Sequence, residues 1–522
     1  MQAFLSLILI VVSLLGLADA SFISYEMANN LLPPCGAGFD CASVLTSKYA
    51  HIGPISLSNL GVLYYLIVLG LSILHYVEFD LKRFKLFKTS ALRHLTIFDL
   101  LLVAATGGFF FSMYLVTLMA FIIKSWCVYC LVSAGTSVTL FILSQIYQSK
   151  VRTHSSFLGK VLTLRIIHFL YGLIAKPFFF LINPEVVHET MTKVGATLGS
   201  IGLLQFLTRW FLQFKHPVLT KTLNGITFKS PIGLAAGYDY NADLTQIMPS
   251  VGFGYQTVGT VTYLPYKGNP SPTFGRFPNS KALLVNKGLK SSGAKAIIKK
   301  LTGLTFEFPI GISIGSTNRH YQSEKEQILD IITCFKLFED SAVKHSYYEL
   351  NISCPNTFGG EPFTTRERLA DLLNALDTLK ITKPVYVKMP IDQGESESLQ
   401  LLKVINKHNI QGLVIGNLTK DKDNPAVLPE DRESWKTRKG NLSGKPTFER
   451  SNRLISLAKK QYGKRFTIIG TGGIFNAEDA KEKIKRGADL VQLITGMIFE
   501  GPAMMSLINA ELANQLLDKR SK

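Results

Sequence analysis

Four apolar runs dominate the hydrophobic pattern of the first 150 residues. They span Gln2–Ala18, Leu57–Val77, Leu95–Ile123 and Cys127–Ile146. A bilayer needs about 20 apolar residues per helix, and each run is near or above that length. The pattern therefore predicts an all-α, four-helix transmembrane bundle over residues 1–148. The first run has an alternative interpretation as a signal peptide, because Ala18-Asp-Ala20 is typical of a small-residue cleavage site.

Polar and basic residues predict a linker over 149–163, and a helical pattern rich in aromatic residues follows over 164–215. Pro177 and Pro184 are expected to break this pattern into short helices, because proline lacks an N–H and clashes with the preceding turn. Short helices in a basic context predict an amphipathic segment that lies on the membrane or dips into it. The alternative is an ordinary helical subdomain that packs on the following domain.

From residue 216 to the end, short β-type runs alternate with helical patterns. Eight such runs are found, at Ile232–Ala235, Tyr255–Val261, Pro309–Ile314, Tyr347–Ile352, Val385–Met389, Gly412–Ile415, Thr467–Gly470 and Leu490–Ile494. This alternation indicates parallel βαβ units, and eight of them over residues 216–522 match the size of an α/β (β/α)8 TIM barrel. A doubly wound sheet is the alternative, but no Gly-x-Gly-x-x-Gly follows the first run.

Polar side chains gather where the predicted strands end, which is where a barrel places its site. They are Asp239, Thr260, Asn351, Cys354, Asn356, Lys388, Asn417 and Thr495. Gly470-Thr-Gly-Gly-Ile474 ends the seventh strand and Thr495-Gly-Met follows the eighth. Glycines such as Gly472, Gly473 and Gly496 let backbone N–H groups approach a phosphate closely. The pattern predicts a phosphate cradle, with flavin mononucleotide (FMN) as its natural ligand and no metal.

Charge and hydropathy indicate a membrane partner. The 522-residue chain has 56 Lys and Arg against 37 Asp and Glu, which suggests nucleic acid, an anionic membrane surface or an acidic small molecule. The positive mean hydropathy favours a lipid bilayer. There is no Lys/Arg block of six or more, so no nucleic-acid partner is expected.

Basic residues also predict the orientation in the membrane. By the positive-inside rule, the 80–94 loop and the chain after about residue 148 lie in the cytoplasm. The protein is expected in the inner (cytoplasmic) membrane, with its first four cysteines on the outer, periplasmic face and the barrel on the cytoplasmic face. The basic residues that support this are Lys82, Arg83, Lys85, Lys88, Arg93, Lys150, Arg152, Lys160 and Arg165.

The first four cysteines suggest redox chemistry. Cys127-Val-Tyr-Cys130 is a redox-type CxxC at a helix start, where helix-terminal N–H groups favour a thiolate at the first sulfur. Cys35 and Cys41 are expected in a loop on the same side of the membrane. Zinc binding is an alternative, although the pairs lack short knuckle spacing on both sides. A second alternative is a pair of structural disulfides, but Cys127 and Cys130 are one helical turn apart, and a bond between them would constrain the chain very little.

Residues 1–148 resemble bacterial vitamin K epoxide reductase homologues, through Cys35-x5-Cys41-x2-Val44-Leu45, Ser47, a Gly-rich start to the second span and the CxxC. The resemblance implies a four-helix bundle that holds a quinone beside Cys130. It implies that Cys35 and Cys41 relay electrons to Cys127 and Cys130, and from there to the quinone. Many such homologues carry a fused thioredoxin-like domain, so a separate periplasmic thioredoxin-like protein is the expected electron donor here.

From about residue 165 to the end, the chain resembles dihydroorotate dehydrogenase. The helical extension with Asn183-Pro-Glu-x-x-His188 is similar to the membrane-associated, quinone-dependent class. The barrel motifs that carry the resemblance are Ile226-Thr-Phe-x-x-Pro231-Ile-Gly-Leu-Ala-Ala-Gly237, Gly252-Phe-Gly254, Gly259-Thr-Val-Thr262, Asn351-Ile-Ser-Cys-Pro-Asn-Thr357, Val387-Lys388, Leu442-Ser-Gly444, Ile469-Gly-Thr-Gly-Gly473 and Gly501-Pro502.

This resemblance implies roles for individual residues. Cys354 would be the catalytic base, and Arg276 would lie between the flavin and a quinone tunnel. Lys388 would stabilise the reduced flavin, with a structural ion pair as its alternative role. Dihydroorotate would be held by Asn351, Asn356 and Asn417, whose amides suit a dihydropyrimidine ring. FMN contacts would come from Ala236, Gly237, Thr260, Lys388, Gly444, Gly473 and Thr495.

Several positions depart from the pattern of the resembled family. Tyr240 stands where a lysine contacts flavin and substrate, and Ser313 and Leu418 replace an asparagine and a hydroxyl residue. The substrate loop reads Val285-Asn-Lys-Gly-Leu289, which shifts its asparagine to Asn286 and adds Lys287. We hypothesise that Lys287 replaces the lost cation. Cysteine at position 354 is typical of the soluble class, whereas the quinone class has serine.

The sequence therefore predicts a membrane-bound flavoenzyme of pyrimidine biosynthesis that oxidises dihydroorotate with quinone, fused to a thiol:quinone oxidoreductase. Both halves would reduce the same membrane quinone pool. To act as a base, Cys354 is expected to have a depressed pKa or a tight proton relay. The alternatives are an FMN dehydrogenase for another dihydropyrimidine, or a thiol:quinone oxidoreductase with an inactive flavin-binding barrel.

Overall fold

The computed structural model describes residues 2–36, 38–79, 96–151 and 158–520. The chain divides into two compact units, Met1–Thr163 and Leu164–Lys522. The basic 80–94 loop, with Lys82, Arg83, Lys85, Lys88 and Arg93, lies outside the described residues, as does Arg152.

The first unit is helical. Four long helices pack around a core that includes Tyr65, Phe98 and Leu102, and the Tyr65 hydroxyl lies 2.6 Å from that of Thr136. The elements are α1 (Gln2–Ala28), α2 (Cys41–Leu45), the hairpin β1 (His51–Ile52) and β2 (Ile55–Ser56), α3 (Leu57–Tyr76), α4 (Ile97–Thr117, continued by a π-helical turn Leu118–Ile123) and α5 (Val128–Val151).

Five helices of the described residues are long and apolar enough to cross a membrane, and the four predicted in the first unit are among them. The first extends well beyond its predicted end at Ala18, because one polar residue in an apolar run does not end a helix. The five are Phe4–Ala28, Leu57–Tyr76, Ile97–Ile123, Val128–Gln148 and Lys160–Leu181.

The segment before the barrel consists of α6 (Leu158–Leu170), α7 (Lys176–Leu181), α8 (Pro184–Ser200) and α9 (Gly202–Leu212). The predicted break at Pro177 is wrong. A π-helical turn, Tyr171–Ala175, joins α6 to α7, and such a turn accommodates the missing N–H of the proline. The break at Pro184 is confirmed, since this residue begins α8 behind the Asn183 cap.

Contacts hold this segment against Thr495–Glu500, the short helix that follows the last barrel strand. The Tyr171 hydroxyl donates to the Ile498 carbonyl at 2.6 Å, and Nδ1 of His168 lies 2.7 Å from the Glu500 carbonyl. The rings of Phe180 and Phe499 meet edge to face at 5.4 Å. These contacts pack the segment on the barrel domain, as the alternative of a helical subdomain has it, and its placement on a membrane stays a prediction.

The remaining strands of the described residues are β3 (Lys221–Leu223), β4 (Ile226–Phe228), β5 (Ile232–Leu234), β6 (Tyr255–Val261), β7 (Phe274–Phe277), β8 (Ala282–Val285), β9 (Ile310–Ile314), β10 (Tyr347–Asn351), β11 (Val385–Met389), β12 (Gly412–Ile415), β13 (Asn441–Gly444), β14 (Thr467–Thr471) and β15 (Leu490–Leu493). Eight parallel strands close into a barrel in the order β5-β6-β9-β10-β11-β12-β14-β15. The predicted TIM barrel is confirmed, with each strand within one residue of its predicted bounds.

Helices cover the outside of the barrel. They are α10 (Met248–Val251), α11 (Ala294–Leu301), α12 (Glu324–Glu339), α13 (Arg366–Asp377), α14 (Glu395–Ile405), α15 (Pro429–Lys436), α16 (Phe448–Tyr462), α17 (Ala477–Arg486), α18 (Thr495–Glu500) and α19 (Met504–Arg520). Buried aromatic residues such as Tyr255, Tyr347 and Tyr386 fill the amino end of the barrel, against which the β3–β4 hairpin packs. The carboxyl ends of the strands are left for a ligand.

Candidate active sites

A cavity of about 390 Å³ opens at the carboxyl ends of the barrel strands. The register of β10 and β11 places Asn351 and Lys388 side by side at this end. The helices before the barrel and the antiparallel sheet β7–β8–β13 form the other walls. Residues from the barrel in the lining include Ala236, Gly237, Thr260, Asn351, Cys354, Asn356, Lys388 and Asn417; the other walls include Phe180, His188, Arg276, Lys287 and Ser443.

Lys388 carries a buried charge at the cavity wall. Its Nζ lies 3.5 Å from Oε1 of Glu349 on the neighbouring strand, and Ser313 donates to the same carboxylate at 3.1 Å. The ion pair considered as an alternative role for Lys388 is therefore present. Because Lys388 also lines the cavity, the pair fixes a cation where a ligand would bind.

Hydrogen bonds to the protein orient the three asparagines. Asn351 donates from Nδ2 to the Thr260 hydroxyl at 2.8 Å, and Asn356 donates to the Val285 carbonyl at 3.0 Å. Asn417 donates to the Ser353 carbonyl at 2.6 Å. The amides therefore stand in fixed orientations around one space, as a planar polar ring requires.

Cys354 lies half-buried in the loop after β10. Burial raises the pKa of the Cys354 thiol to about 11, while the backbone N–H of Asn356 and the charge of Lys388 act in the opposite direction. The expected depressed pKa is therefore wrong for the protein without ligands. A thiol with this pKa accepts a proton only if it first loses its own, so a proton relay is the remaining expectation.

A smaller cavity of about 80 Å³ adjoins the first and shares Ala236, Lys388, Asn417 and Ser443 with it. Its lining includes the predicted cradle residues Gly444, Gly472, Gly473, Thr495 and Gly496. Residues with a Cβ do not fit at two of these glycine positions. Gly472 has a φ of +97°, and a Cβ at Gly496 would collide with the carbonyl of Ile474. The glycine-lined pocket fits the phosphate of FMN. The adjoining cavity, where Lys388 is a fixed cation, fits the flavin ring.

The first unit brings its four cysteines together. Cys35 and Cys41 form a disulfide, whereas Cys127 and Cys130 are free thiols. Cys41 and Cys127 are buried in one cluster with Val44 and Met119. No group of three or more His, Cys, Asp or Glu side chains in the described part of the chain has the arrangement of a metal site.

Two hydrogen bonds hold the disulfide segment against the CxxC. The Tyr129 hydroxyl donates to the Pro34 carbonyl at 2.7 Å, and the Asp40 N–H donates to the Trp126 carbonyl at 2.9 Å. The backbone N–H of Cys130 points at Sγ of Cys127 from 3.4 Å, as the helix-start argument predicts. Cys130 itself lines a cavity of about 120 Å³ together with residues of α1, α3 and α4. One thiol thus faces the disulfide and the other faces a cavity.

Comparison with known families agrees with this division of the chain. The family model "Dihydroorotate dehydrogenase" matches residues 218–516, more than half of the chain. The chain belongs to the dihydroorotate dehydrogenase family. A second model, "Vitamin K epoxide reductase family", matches residues 7–145. The chain therefore joins an N-terminal vitamin K epoxide reductase family domain to a C-terminal dihydroorotate dehydrogenase domain, as its motifs predict.

Relatives named "Dihydroorotate dehydrogenase (quinone)" extend the match. The protein from Rhizobium etli (strain CIAT 652) is 33% identical over 354 residues, which cover 66% of this chain and 92% of the relative. A protein from a Synechococcus strain is 33% identical over 347 residues, which cover 63% of this chain and 89% of that protein. A crystal structure of the Eimeria tenella enzyme in complex with ferulenol is 25% identical, with a TM-score of 0.55 over 65% of this chain and 93% of that one.

Within this dihydroorotate dehydrogenase domain, one expected substrate residue lies away from the cavity. Leu283, Val285 and Lys287 line it, whereas Asn286 is absent from the lining and accepts a hydrogen bond from Asn269 at 3.0 Å. The reason is the two-residue period of an extended chain, which sends alternate side chains to opposite faces. Of the two substrate residues expected in this loop, Lys287 lines the cavity and Asn286 does not.

Sequence reasoning missed two carboxylates that shape the site. Glu349 forms the ion pair with Lys388. A glutamate inside the apolar run Tyr347–Ile352 was the feature of the sequence that could have indicated this role. Glu185, in the Asn-Pro-Glu motif, accepts hydrogen bonds from the Thr273 hydroxyl at 2.8 Å and the Phe274 N–H at 3.2 Å. Because Glu185 lies at the start of α8, these bonds join the helical segment to the sheet that carries Lys287.

We expect Gly496→Ala to weaken FMN binding by about 10- to 100-fold, because overpacking a filled site costs about 1–3 kcal/mol. The added methyl group collides with the backbone carbonyl of Ile474, which cannot move without shifting the cradle. FMN retained per protein after gel filtration is the measurement. Gly202→Ala is the matched control, since nothing lies within 4 Å of its added Cβ. Equal FMN content in both variants would contradict the assignment of the cradle.

Proposed function

We propose that the barrel oxidises dihydroorotate to orotate with FMN as cofactor and a membrane quinone as electron acceptor. The first unit, in this proposal, is a thiol:quinone oxidoreductase that oxidises periplasmic dithiols. The observation that carries the barrel assignment is the convergence of Cys354, Lys388 and three oriented asparagines on a cavity that continues into a glycine cradle. FMN contacts are assigned to Ala236, Gly237, Thr260, Lys388, Gly444, Gly472, Gly473, Thr495 and Gly496.

Substrate recognition rests on Lys287 together with the asparagines. Lys287 is only 8% exposed, and its Nζ lies 4.4 Å from the centre of the Phe274 ring at the cavity wall. Dihydroorotate carries a carboxylate that dihydrouracil lacks, so a buried cation favours dihydroorotate between these two. Asn351, Asn356 and Asn417 bind the ring carbonyl and N–H groups in this assignment.

Oxidation removes a proton and a hydride from adjacent ring carbons and leaves a carbon–carbon double bond. Cys354 accepts the proton at Sγ in our proposal. When bound, FMN supplies the hydride acceptor. Lys388 provides a fixed positive charge beside the reacting ring, held by Glu349. Arg276 closes the cavity toward the helical segment, where it donates to the Ile182 carbonyl at 2.8 Å and stacks on Phe180.

The proposal is tested by anaerobic addition of dihydroorotate to the purified full-length protein, followed by quinone. Bound flavin should bleach with dihydroorotate and recover its absorbance when quinone is added. Bleaching by dihydrouracil instead would assign the barrel to another dihydropyrimidine. Purification without flavin would leave a thiol:quinone oxidoreductase with an inactive barrel.

We expect the rate of flavin reduction by dihydroorotate to rise about tenfold per pH unit between about pH 7 and pH 10. The raised pKa of Cys354, about 11, keeps the thiol protonated at neutral pH. The thiolate is the form that accepts a proton, and below the pKa its fraction increases with pH. Stopped-flow absorbance at saturating dihydroorotate measures the dependence. A rate that is flat across this range would show that Cys354 is not the group whose ionisation limits the reaction.

We also propose that the thiols lie on the outer face of the inner membrane and the barrel on the cytoplasmic face. Basic residues after α5 support this through the positive-inside rule. The fifth apolar helix, Lys160–Leu181, would reverse the side of the barrel if it crossed the bilayer. Its hydrogen bonds through His168 and Tyr171 to α18 support a helix that packs on the barrel domain and does not cross the bilayer.

A further inference from the structure

Asp19 is an acidic residue inside the first apolar helix of the chain. It lies nine residues before the end of the candidate span Phe4–Ala28, about 14 Å along a helix that rises 1.5 Å per residue. A carboxylate at this depth is costly in a bilayer, so such residues are usually retained for a function and face a specific partner. Among the described residues, Oδ2 of Asp19 is buried without a hydrogen-bond partner.

The surroundings of Asp19 place it beside the CxxC. One helical turn further along α1, the ring of Phe22 lies 5.6 Å from that of Tyr129, which stands between Cys127 and Cys130 in sequence. The Asp19 carboxylate interacts electrostatically with both thiols. Asp19 is therefore near both free thiols and inside an apolar span of the first unit.

Helix α3 also packs against α1 but supplies no competing acid. Its Tyr65 ring abuts Gly16, one turn before Asp19, and the Tyr65 hydroxyl is already bound by Ser133 and Thr136 of α5. Among the described residues, Cys127 and Cys130 at the start of α5 are close enough to Asp19 for a weak electrostatic interaction. Because Oδ2 of Asp19 has no hydrogen-bond partner in the described part of the chain, it is available to exchange a proton with these thiols.

The cavity beside Cys130 is lined by α1 from the residue after Asp19 onward, and Asp19 itself is not among its lining residues. Ala20, Ile23 and Met27 of α1 line it together with Cys130. Asp19 directly precedes Ala20, and Ile23 lies one turn further on the same helix. Asp19 therefore stands on the turn of α1 that also supplies one wall of the cavity.

We propose that Asp19 carries a proton between the Cys127–Cys130 thiol pair and the quinone bound in this cavity. The inference rests on the thiol:quinone function proposed above. Quinone reduction converts two thiols into one disulfide and moves two electrons and two protons to the quinone oxygens. The Asp19 carboxylate takes one thiol proton as the sulfur–sulfur bond forms, passes it to a quinone oxygen and returns to its ionised form. The second thiol proton completes the quinol.

The experiment compares Asp19→Asn, Asp19→Glu and the matched control Glu26→Gln in the full-length protein in detergent. Glu26 is the other acid of α1, seven residues further toward the end of the candidate span, and like Asp19 it is not a lining residue of the cavity. Dithiothreitol reduces the thiols, a water-soluble ubiquinone analogue is added, and the quinone absorbance is followed from pH 5.5 to pH 9. Alkylation of free thiols before quinone addition reports whether each variant folds and is reduced.

We expect Asp19→Asn to slow quinone reduction by about 100-fold or more and to lose the pH dependence of the wild-type rate, because a positioned proton carrier contributes about 10²–10⁴-fold. Asp19→Glu should restore most of the rate, and Glu26→Gln should match the wild type. A wild-type rate in Asp19→Asn would overturn the inference, as would a failure of Asp19→Glu to recover any rate while its thiols are reduced normally. A mature N-terminus at Ser21 would overturn it too, because cleavage removes Asp19. A wild-type protein that reduces no quinone refutes the proposed thiol:quinone function itself.

Discussion

We expect Cys354→Ala to lower the rate of flavin reduction by dihydroorotate by about 10²–10⁴-fold, which is the contribution of a positioned general base. The side chain removed is the thiol beside Asn356 and Lys388 in the cavity. FMN content should not change, since Cys354 does not line the glycine cradle. The measurement is anaerobic stopped-flow absorbance of the bound flavin.

Cys334→Ala is the matched control for this prediction. Cys334 is the other cysteine of the barrel domain, buried in α12 and outside the cavity lining. Its replacement should leave the rate of flavin reduction unchanged even if it lowers stability. A Cys354→Ala variant that reduces flavin as fast as this control would remove the thiol from the mechanism.

Cys354→Ser distinguishes the role of the thiol from that of its position. The helical segment before the barrel resembles the quinone-dependent class, in which serine occupies this place. We expect the serine variant to keep a rate at least about tenfold above that of the alanine variant, because a hydroxyl can pass a proton through the same relay. A serine variant as slow as alanine would show that this site depends on sulfur.

The barrel was predictable because its strands are buried on both faces and read as continuous apolar runs. Tyr255–Val261, Val385–Met389 and Gly412–Ile415 begin and end where the sequence places them. The helix through Pro177 was not predictable, because a π-helical turn accommodates the proline and leaves no mark in the hydrophobic pattern. Local rules on proline describe ideal helices, and this one departs from ideal geometry.

Site residues at strand ends were predictable from the sequence. Site residues in loops were less predictable, because the loop conformation decides where their side chains point. Thr260, Asn351 and Lys388 reach the cavity because strand ends converge at one face of a barrel. Asn286 does not reach the cavity, because it follows β8 in extended chain, where its side chain and that of Lys287 point to opposite faces. The pKa of Cys354 was misjudged for a related reason. Burial among apolar walls outweighs the nearby Lys388, and sequence spacing cannot weigh these two effects.

Tyr240 changes the chemistry of the site by replacing the family's lysine with a side chain that still fills the same position. It occupies the position of the lysine expected from the family pattern, lines the cavity, and has a buried hydroxyl without a hydrogen-bond partner among the described residues. Burial raises the pKa of this phenol well above its ordinary value, so Tyr240 offers a neutral O–H donor where a cation is usual. Lys287 restores a positive charge from a different wall of the same cavity.

We expect Cys130→Ala to abolish quinone reduction by dithiol while leaving flavin bleaching by dihydroorotate intact. Cys130 is the thiol that lines the cavity of the first unit, whereas Cys127 packs with Cys41. Without Cys130, dithiol can still reduce Cys35–Cys41, but the Cys127–Cys130 disulfide that accompanies quinone reduction cannot form. Quinone absorbance with dithiothreitol and flavin absorbance with dihydroorotate measure the two reactions in one preparation.

Cys127→Ala provides the comparison within the same motif. Each variant removes half of the dithiol, so both should stop steady-state turnover, but only Cys127→Ala leaves a thiol at the cavity of the first unit. The two candidate sites have separate cavities and separate cysteines, so in the proposed function they share the quinone pool without sharing a catalytic residue. Loss of flavin bleaching in Cys130→Ala, with FMN still bound, would contradict this independence and would show that the redox state of the thiols controls the barrel.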